Sequence, residues 1–372
     1  MKKMFPLGCA GLGIQASSPS HPVSLEEPTI NEKFELLKEA GVFDFIDHIP
    51  ITHDLIDDYI RASQKVNIPI YSGYGCYVWG KHEQEFKTNI ELSAAVGANY
   101  HNIMMAAKDV NYKQLTDEQV AAAYLYFYEY ASKKGINITF ENHVDNWSED
   151  YRRVLRVADL VEQEGVAFNL AMDYSHCIFK IENTLESHIS FKDDKEAVRQ
   201  LDPFYSDSYA DQWLNRNLVH WGQVRPAVPN NPRNLCSEET SPWEGHGYGR
   251  PGRGIQYPFS QPNTGEWSTD TWHAHKLAAT KEVIRKMIDH YLSSPNTNLR
   301  MMTVDNINLW SYGLGWTYNM FQDSCKVAEY IREIYAERAV IYQAKQLCTE
   351  KAFVEQYRFQ ALKQNNVTSC IA

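Results

Sequence analysis

Hydrophobic positions along the 372-residue chain follow two alternating rhythms. Short apolar runs bounded by polar or glycine-rich residues predict strands over 4–13, 42–50, 68–80, 99–107, 136–143, 166–176, 217–224 and 298–310. Between many of them, apolar residues recur every three or four positions and predict amphipathic helices over 31–41, 52–66, 89–97, 116–135 and 148–165. The helix over 116–135 is the best marked. Thr116 and Gln119 have the spacing of a capping box, Gly135 supplies a stop, and the "YLYFYEY" stripe reads as its packing face. Strands that alternate with helices predict a parallel sheet with helical cover. Eight such strands predict an α/β protein of (β/α)8 barrel architecture, with a doubly wound open sheet as the alternative.

Two stretches exceed the repeat. A long loop follows the seventh strand at 226–268, rich in Pro, Gly, Asn and Trp, and its rings favour a structured cover over one end of the barrel. Residues 338–372 read as a C-terminal helical extension that either packs on the exterior or contacts another subunit. A barrel domain over 1–337 and this extension make up the expected organisation.

Composition narrows the class. With 44% apolar and 22% charged residues the chain can bury a sizeable core, and no apolar stretch is long enough for a membrane helix. A formal charge of −11 argues against nucleic acid and acidic membrane partners, because both select basic surfaces. Seven scattered cysteines without a CxxC pair indicate neither a disulfide framework nor a structural zinc site. Pro6 and three glycines interrupt the apolar part of "MKKMFPLGCAGLG", against a secretory signal, so a cytoplasmic protein is expected.

In a barrel the C-terminal ends of all strands open on one face, where catalytic groups gather. The fifth predicted strand ends in Glu141-Asn142-His143, the sixth in Asp173, the seventh carries His220, and the eighth ends in Asp305. Three carboxylates at one mouth repel one another unless protonated or bridged by a cation. A divalent metal held by Glu141, Asp173, His220 and Asp305 resolves this. The oxygen-rich set favours Mn²⁺, with Mg²⁺, Co²⁺ and Zn²⁺ as alternatives. His143 lies two residues after Glu141 and is either a catalytic base or a loop histidine. His101, within the fourth strand, reads as a satisfied core residue. The pair His273 and His275 reads as surface. "GYGRPGRG" offers arginines to a phosphate but is neither a Walker loop nor a dinucleotide fingerprint.

"INITFENH", "LAMDYSH", "LVHWGQVRP" and "GRGIQYPF" resemble the sugar phosphate isomerase/epimerase group of the xylose-isomerase-like TIM barrels, which includes ketose 3-epimerases, inosose dehydratases and C-glycoside deglycosidases. The resemblance spans residues 5–335 and is best at these four stretches. It implies one divalent cation bound by Glu, Asp, His and Glu at the ends of the fifth to eighth strands, which carries over to Glu141, Asp173 and His220. The last position falls on Asp305, one methylene shorter than the family's Glu. His176 and Arg225 resemble family residues that bind substrate oxygens.

The chemistry expected from these residues is proton abstraction beside a metal-bound carbonyl, giving an enediolate, with Glu141, His143, His176 and Asp305 as candidate bases. Returning the proton isomerises or epimerises a keto-sugar. Expelling an aglycone or water makes the protein a lyase, and a sugar-binding barrel without chemistry is the non-enzyme alternative. A small carbohydrate is the expected substrate, and the expected assembly is a homo-oligomer or a complex with a small second subunit.

Overall fold

The computed structural model describes residues 2–14, 28–49, 51–229, 256–267, 271–307 and 318–368, with side chains as far as Cys348. Its strands are β1 (Leu7–Ala10), β2 (Phe45–Asp47), β3 (Ser72–Tyr77), β4 (Tyr100–Met105), β5 (Asn137–Glu141), β6 (Leu170–Asp173), β7 (Val219–Val224) and β8 (Met301–Val304). All pair in parallel, in the order β2-β1-β8-β7-β6-β5-β4-β3. A single parallel bridge between Ile46 and Ile70 joins the two ends of that row. There the Ile46 N–H donates to the Pro69 carbonyl at 3.0 Å and the Tyr71 N–H to the Ile46 carbonyl at 2.9 Å. The eight predicted strands therefore form a nearly closed (β/α)8 barrel.

Helices α1 (Ile30–Ala40), α2 (Ile56–Val66), α3 (Glu83–Ala95), α4 (Asp117–Lys133) and α5 (Arg153–Gln163) follow the first five strands. Their starts and stops have local causes. Thr29 and Glu32 form a capping box on α1, Thr116 and Gln119 another on α4, and Gly41 ends α1 at a φ of 64°, a conformation that costs glycine little. Between β6 and β7 lie four short helices, α6 (Ser175–Ile178), α7 (Thr184–Phe191), α8 (Lys195–Arg199) and α9 (Tyr209–Asn215). Each is too short for a 3.6-residue stripe to register in the sequence. Side-chain caps from Asn183, Asp194 and Ser208 start the last three.

Helix α10 (Ala278–Ser293) precedes β8, and α11 (Met320–Thr368) runs without a break through 337–338. Phe321, Val327, Ala328, Ile331, Tyr335 and Ala339 of α11 are buried, and Val340 just beyond them is exposed. No helix among the described residues is long and apolar enough to cross a membrane.

The principal core lies between the barrel wall and the helices. Phe127 of the "YLYFYEY" stripe sits 4.3 Å from the Phe86 ring and packs towards Phe140 on β5. A second, smaller core fills the barrel itself with Phe45, Ala171, Trp221 and Met301, flanked by Tyr71 and Tyr100. Phe45 stacks on Tyr71 at 4.1 Å.

Most of the long loop, 230–255 together with 268, lies outside the described residues, and "GYGRPGRG" falls within that part. The loop's far end is pinned. Asp323 of α11 accepts hydrogen bonds from the backbone of Phe259 and Ser260, and Tyr257 and Trp267 join Tyr318 and Met320 in a separate apolar cluster.

Candidate active site

Two ladder registers bring the polar strand ends level. On β5 and β6, Glu141 pairs with Ala171; on β6 and β7, Asp173 pairs with Gln223; Asp305 follows β8 directly, its N–H donating to the Val224 carbonyl at 2.9 Å. Each strand's alternation turns Glu141, Asp173, Gln223 and Asp305 to the same side of the wall. All four are buried.

Arg225, one residue past β7, occupies the space between two of the carboxylates. Its Nη1 lies 2.7 Å from Asp173 Oδ2 and donates to Ser175 Oγ at 3.1 Å. Nη2 donates to Asp305 Oδ2, and Nε to the Asp305 carbonyl at 3.0 Å. His176 Nε2 stands 3.2 Å from both Asp173 Oδ2 and Arg225 Nη1. The fold itself thus supplies one cation, Arg225, that offsets Asp173 and Asp305. Asp305 Oδ1 remains buried with no hydrogen-bond partner.

The environments push the three carboxyls apart. Burial works against ionisation of Asp173, but Arg225 and His176 prevail and hold it well below the usual carboxylate range. Burial raises Asp305 despite Arg225 and His48. Glu141 is raised furthest, to about 8, by burial and by the negative charges of Asp173 and Asp305. Asp173 therefore stays ionised, while Glu141 is placed to exchange a proton near neutral pH, a division of roles typical of acid–base sites.

His143 and His176 complete a second grouping around Glu141. Their rings lie 3.9 Å apart, and ligand atoms of Glu141, His143 and His176 all fall within 4.8 Å of one another. The chain just past β5 is pinned to hold this shape: Ser148 Oγ accepts the His143 N–H at 3.1 Å and donates to the Glu141 carbonyl, while Asn142 Nδ2 donates to the Asp173 carbonyl at 2.7 Å. One carboxylate and two imidazoles fit a divalent cation by donor type and proximity. His143 therefore belongs with the possible metal ligands as well as with the bases.

His220 does not belong with them. It is the second residue of β7, and the register slips there, since Leu170 faces Val219 while Ala171 faces Trp221, leaving His220 as the extra residue of a bulge. Its Nδ1 meets Asn298 Oδ1 at 2.9 Å and its ring lies 5.6 Å from Tyr100, the first residue of β4. These neighbours place it at the N-terminal end of the barrel, opposite the mouth. On β7 the position level with Asp173 is Gln223, and the expected quartet of Glu141, Asp173, His220 and Asp305 does not assemble.

Several residues of the mouth escape the sequence analysis. Asn102 on β4 and Gln223 both direct an amide nitrogen at Glu141 Oε2, the latter at 3.4 Å. His48, just past β2, is buried with its Nε2 at 3.3 and 3.2 Å from the same two amide nitrogens, and its Nδ1 lies 3.2 Å from Asp47 Oδ1. The only sequence signal was the histidine following an aspartate at a strand end, in "FDFIDH". His101 behaves as expected, buried and held by Tyr77 Oη at 2.8 Å and Ser93 Oγ at 3.1 Å. His273 and His275 are exposed.

No protein-family model and no curated protein matches the chain. Solved structures similar to it include the D-allulose 3-epimerase of Methylomonas sp. in complex with D-allulose, at 12% identity and a TM-score of 0.48, covering 91% of this chain and 98% of that one. A xylose isomerase domain protein from Planctomyces limnophilus is similar at 10% identity and a TM-score of 0.49, over 91% and 99%. The 3-keto-D-glucoside 4-epimerase of E. coli is similar at 14% identity and a TM-score of 0.43, over 89% and 100%.

Proposed function

We propose that the protein is a proton-transferring enzyme that isomerises or epimerises a keto-sugar or a related hydroxy-carbonyl compound. The observation that carries this reading is the Glu141–His143–His176 cluster, with its ligand atoms within 4.8 Å, beside an Asp173–Arg225–Asp305 network at the same barrel end. Enolisation needs a group that exchanges a proton with carbon and a polar wall that holds neighbouring oxygens. Glu141 is the proton-exchanging group in this reading. His176 and Arg225 form the wall, and the two aspartates keep Arg225 in place.

Glu141, His143 and His176 would hold a divalent cation, and such a cation, when bound, polarises a carbonyl and stabilises negative charge on its oxygen. Asp305 is committed to Arg225, so the reading assigns it no proton transfer.

Metal analysis and an isotope experiment test the proposal. Protein purified without chelators should carry a divalent ion that Glu141→Gln and His176→Asn lose and His220→Asn retains. In D₂O, keto-sugars incubated with the protein and added Mn²⁺ should gain deuterium at the carbon next to the carbonyl and yield an isomer. A released aglycone or loss of water assigns the site to elimination instead. Sugar binding with neither exchange nor product makes the protein a binding barrel and overturns the proposal.

A further inference from the structure

On the keto-sugar reading above, we propose that His48, oriented by Asp47, is the second proton-transfer group of the site. It would donate a proton to the substrate's carbonyl oxygen as the neighbouring carbon loses one, and take it back when the product carbonyl forms. When the C–H bond breaks, its proton passes to the base and its electron pair becomes the new C=C bond. The former carbonyl π pair moves onto oxygen, which takes the Nε2 proton of the imidazolium. The products are an enediol and a neutral imidazole, with no net change in charge.

Four features of the structure lead here. His48 stands at the mouth end of β2, where strand-end groups converge, and the side-chain amides of Asn102 and Gln223 each touch both its Nε2 and Glu141 Oε2. Its Nδ1 faces Asp47 Oδ1 at 3.2 Å, and Asp47 Oδ2 in turn accepts from Thr303 Oγ1 at 2.5 Å, while Trp221 Nε1 donates to that same hydroxyl at 2.9 Å. A carboxylate fixed in this way sets the imidazole's orientation and leaves Nε2 pointing inward. His48 also holds a left-handed backbone with a φ of 47°, which is uncommon for a non-glycine residue and sets the direction in which the side chain leaves the end of β2.

The fourth feature is that one of the two amides beside Nε2 can follow a change in the ring's protonation. Thr139 Oγ1 donates to Asn102 Oδ1 at 2.9 Å and fixes that amide with its nitrogen towards Glu141. Gln223 is held less firmly, by a 3.4 Å bond from its nitrogen to Glu141 Oε2, and its Oε1 is buried without a hydrogen-bond partner. With its nitrogen towards His48 it donates to a neutral imidazole. A half-turn of the amide presents Oε1 to an imidazolium.

The charged and titratable groups facing the ring are Asp47, Asp305 and Glu141, with Tyr74 of β3 at 5.3 Å between ring centres and His101 behind it on β4. Burial disfavours the imidazolium, but Asp47 and then the other two carboxyls raise it to about 9, so the ring carries a proton to give at neutral pH.

Full-length His48→Gln, His48→Asn and Asp47→Asn are compared with wild type and with the exposed control His273→Asn. On whichever keto-sugar the wild type converts, the His48 variants should lose about 10²-fold or more in kcat with KM changed less than about threefold, and should lose the alkaline limb of the pH profile. Folded variants with wild-type kcat and pH profile overturn the inference and leave the keto-sugar reading standing. If the wild type converts none of the sugars, the reading itself fails. The inference is then decided by NMR of ¹⁵N-histidine protein titrated with dihydroxyacetone. Movement of the resonance that His48→Gln deletes supports contact with a carbonyl compound, and an unmoved resonance overturns it.

Discussion

Arg225 decides how the negative charge at the mouth is managed. Its guanidinium reaches Asp173 and Asp305 at once, in a fork geometry that a lysine's point charge does not reproduce. Replacing it with Met removes one cation and strands two buried carboxylates, a change that costs about 3–5 kcal/mol. Arg225→Met should therefore unfold at a clearly lower urea midpoint at pH 7. It should recover part of the loss relative to wild type at pH 5, because unpaired buried carboxyls take up protons. An equal loss at both pH values would mean that packing, not charge, is what Arg225 contributes.

His101 makes a separate pH prediction. Burial, with a smaller push from His48, lowers its pKa from 6.5 to about 3, so the folded protein keeps it neutral while an unfolded chain protonates it below about 6.5. Its contribution is fully present above 6.5 and drains away as pH falls towards 3, at up to about 1.4 kcal/mol per pH unit. His101→Gln should flatten the fall of unfolding free energy between pH 6.5 and 4 by roughly that slope, as measured by denaturant titration. At this scale the sequence was legible where identity alone sets the role. A histidine inside an apolar strand became a satisfied core residue, and Glu141 and Asp173 lie at the mouth. The partners were not legible, because Arg225 meets Asp305 across eighty positions of chain.

At the scale of elements, local signals placed the helices whose capping residues could be read. The Gln119 N–H bonds Thr116 Oγ1 at 3.2 Å, and the Thr116 N–H bonds Gln119 Oε1 at 2.9 Å. Thr116→Ala should cost about 1 kcal/mol, seen as a lower melting temperature with the fold unchanged by circular dichroism. Strand β7 shows where local signals stop. "LVHWGQV" reads as an even alternation, in which any of its polar residues can be the inward one at the mouth. The bulge at His220 shifts the register, so Gln223 takes the position level with Asp173. A one-residue slip reverses which side chains face the barrel, and no pattern within the strand reveals it.

For the whole molecule, closure of the sheet turns strand order into a site. Eight parallel strands alone are compatible with an open sheet, whose strand ends would lie along a line. The Ile46–Ile70 bridge bends that line into a ring, and the packing of Phe45, Trp221 and Met301 inside it fixes the ring's width. Only then do residues from β2, β4, β5 and β7 meet, as His48, Asn102, Glu141 and Gln223 do. By itself the sequence determined the eight strands, the helices with marked caps, and the presence of carboxylates and histidines at strand ends, since periodicity and capping are short-range properties of the chain. Which of these groups face one another, that Arg225 pairs with both Asp173 and Asp305, that His220 sits at the far end and that His48 joins the mouth were decided by register and closure. Those depend on contacts between residues far apart in sequence, which form only when the barrel does.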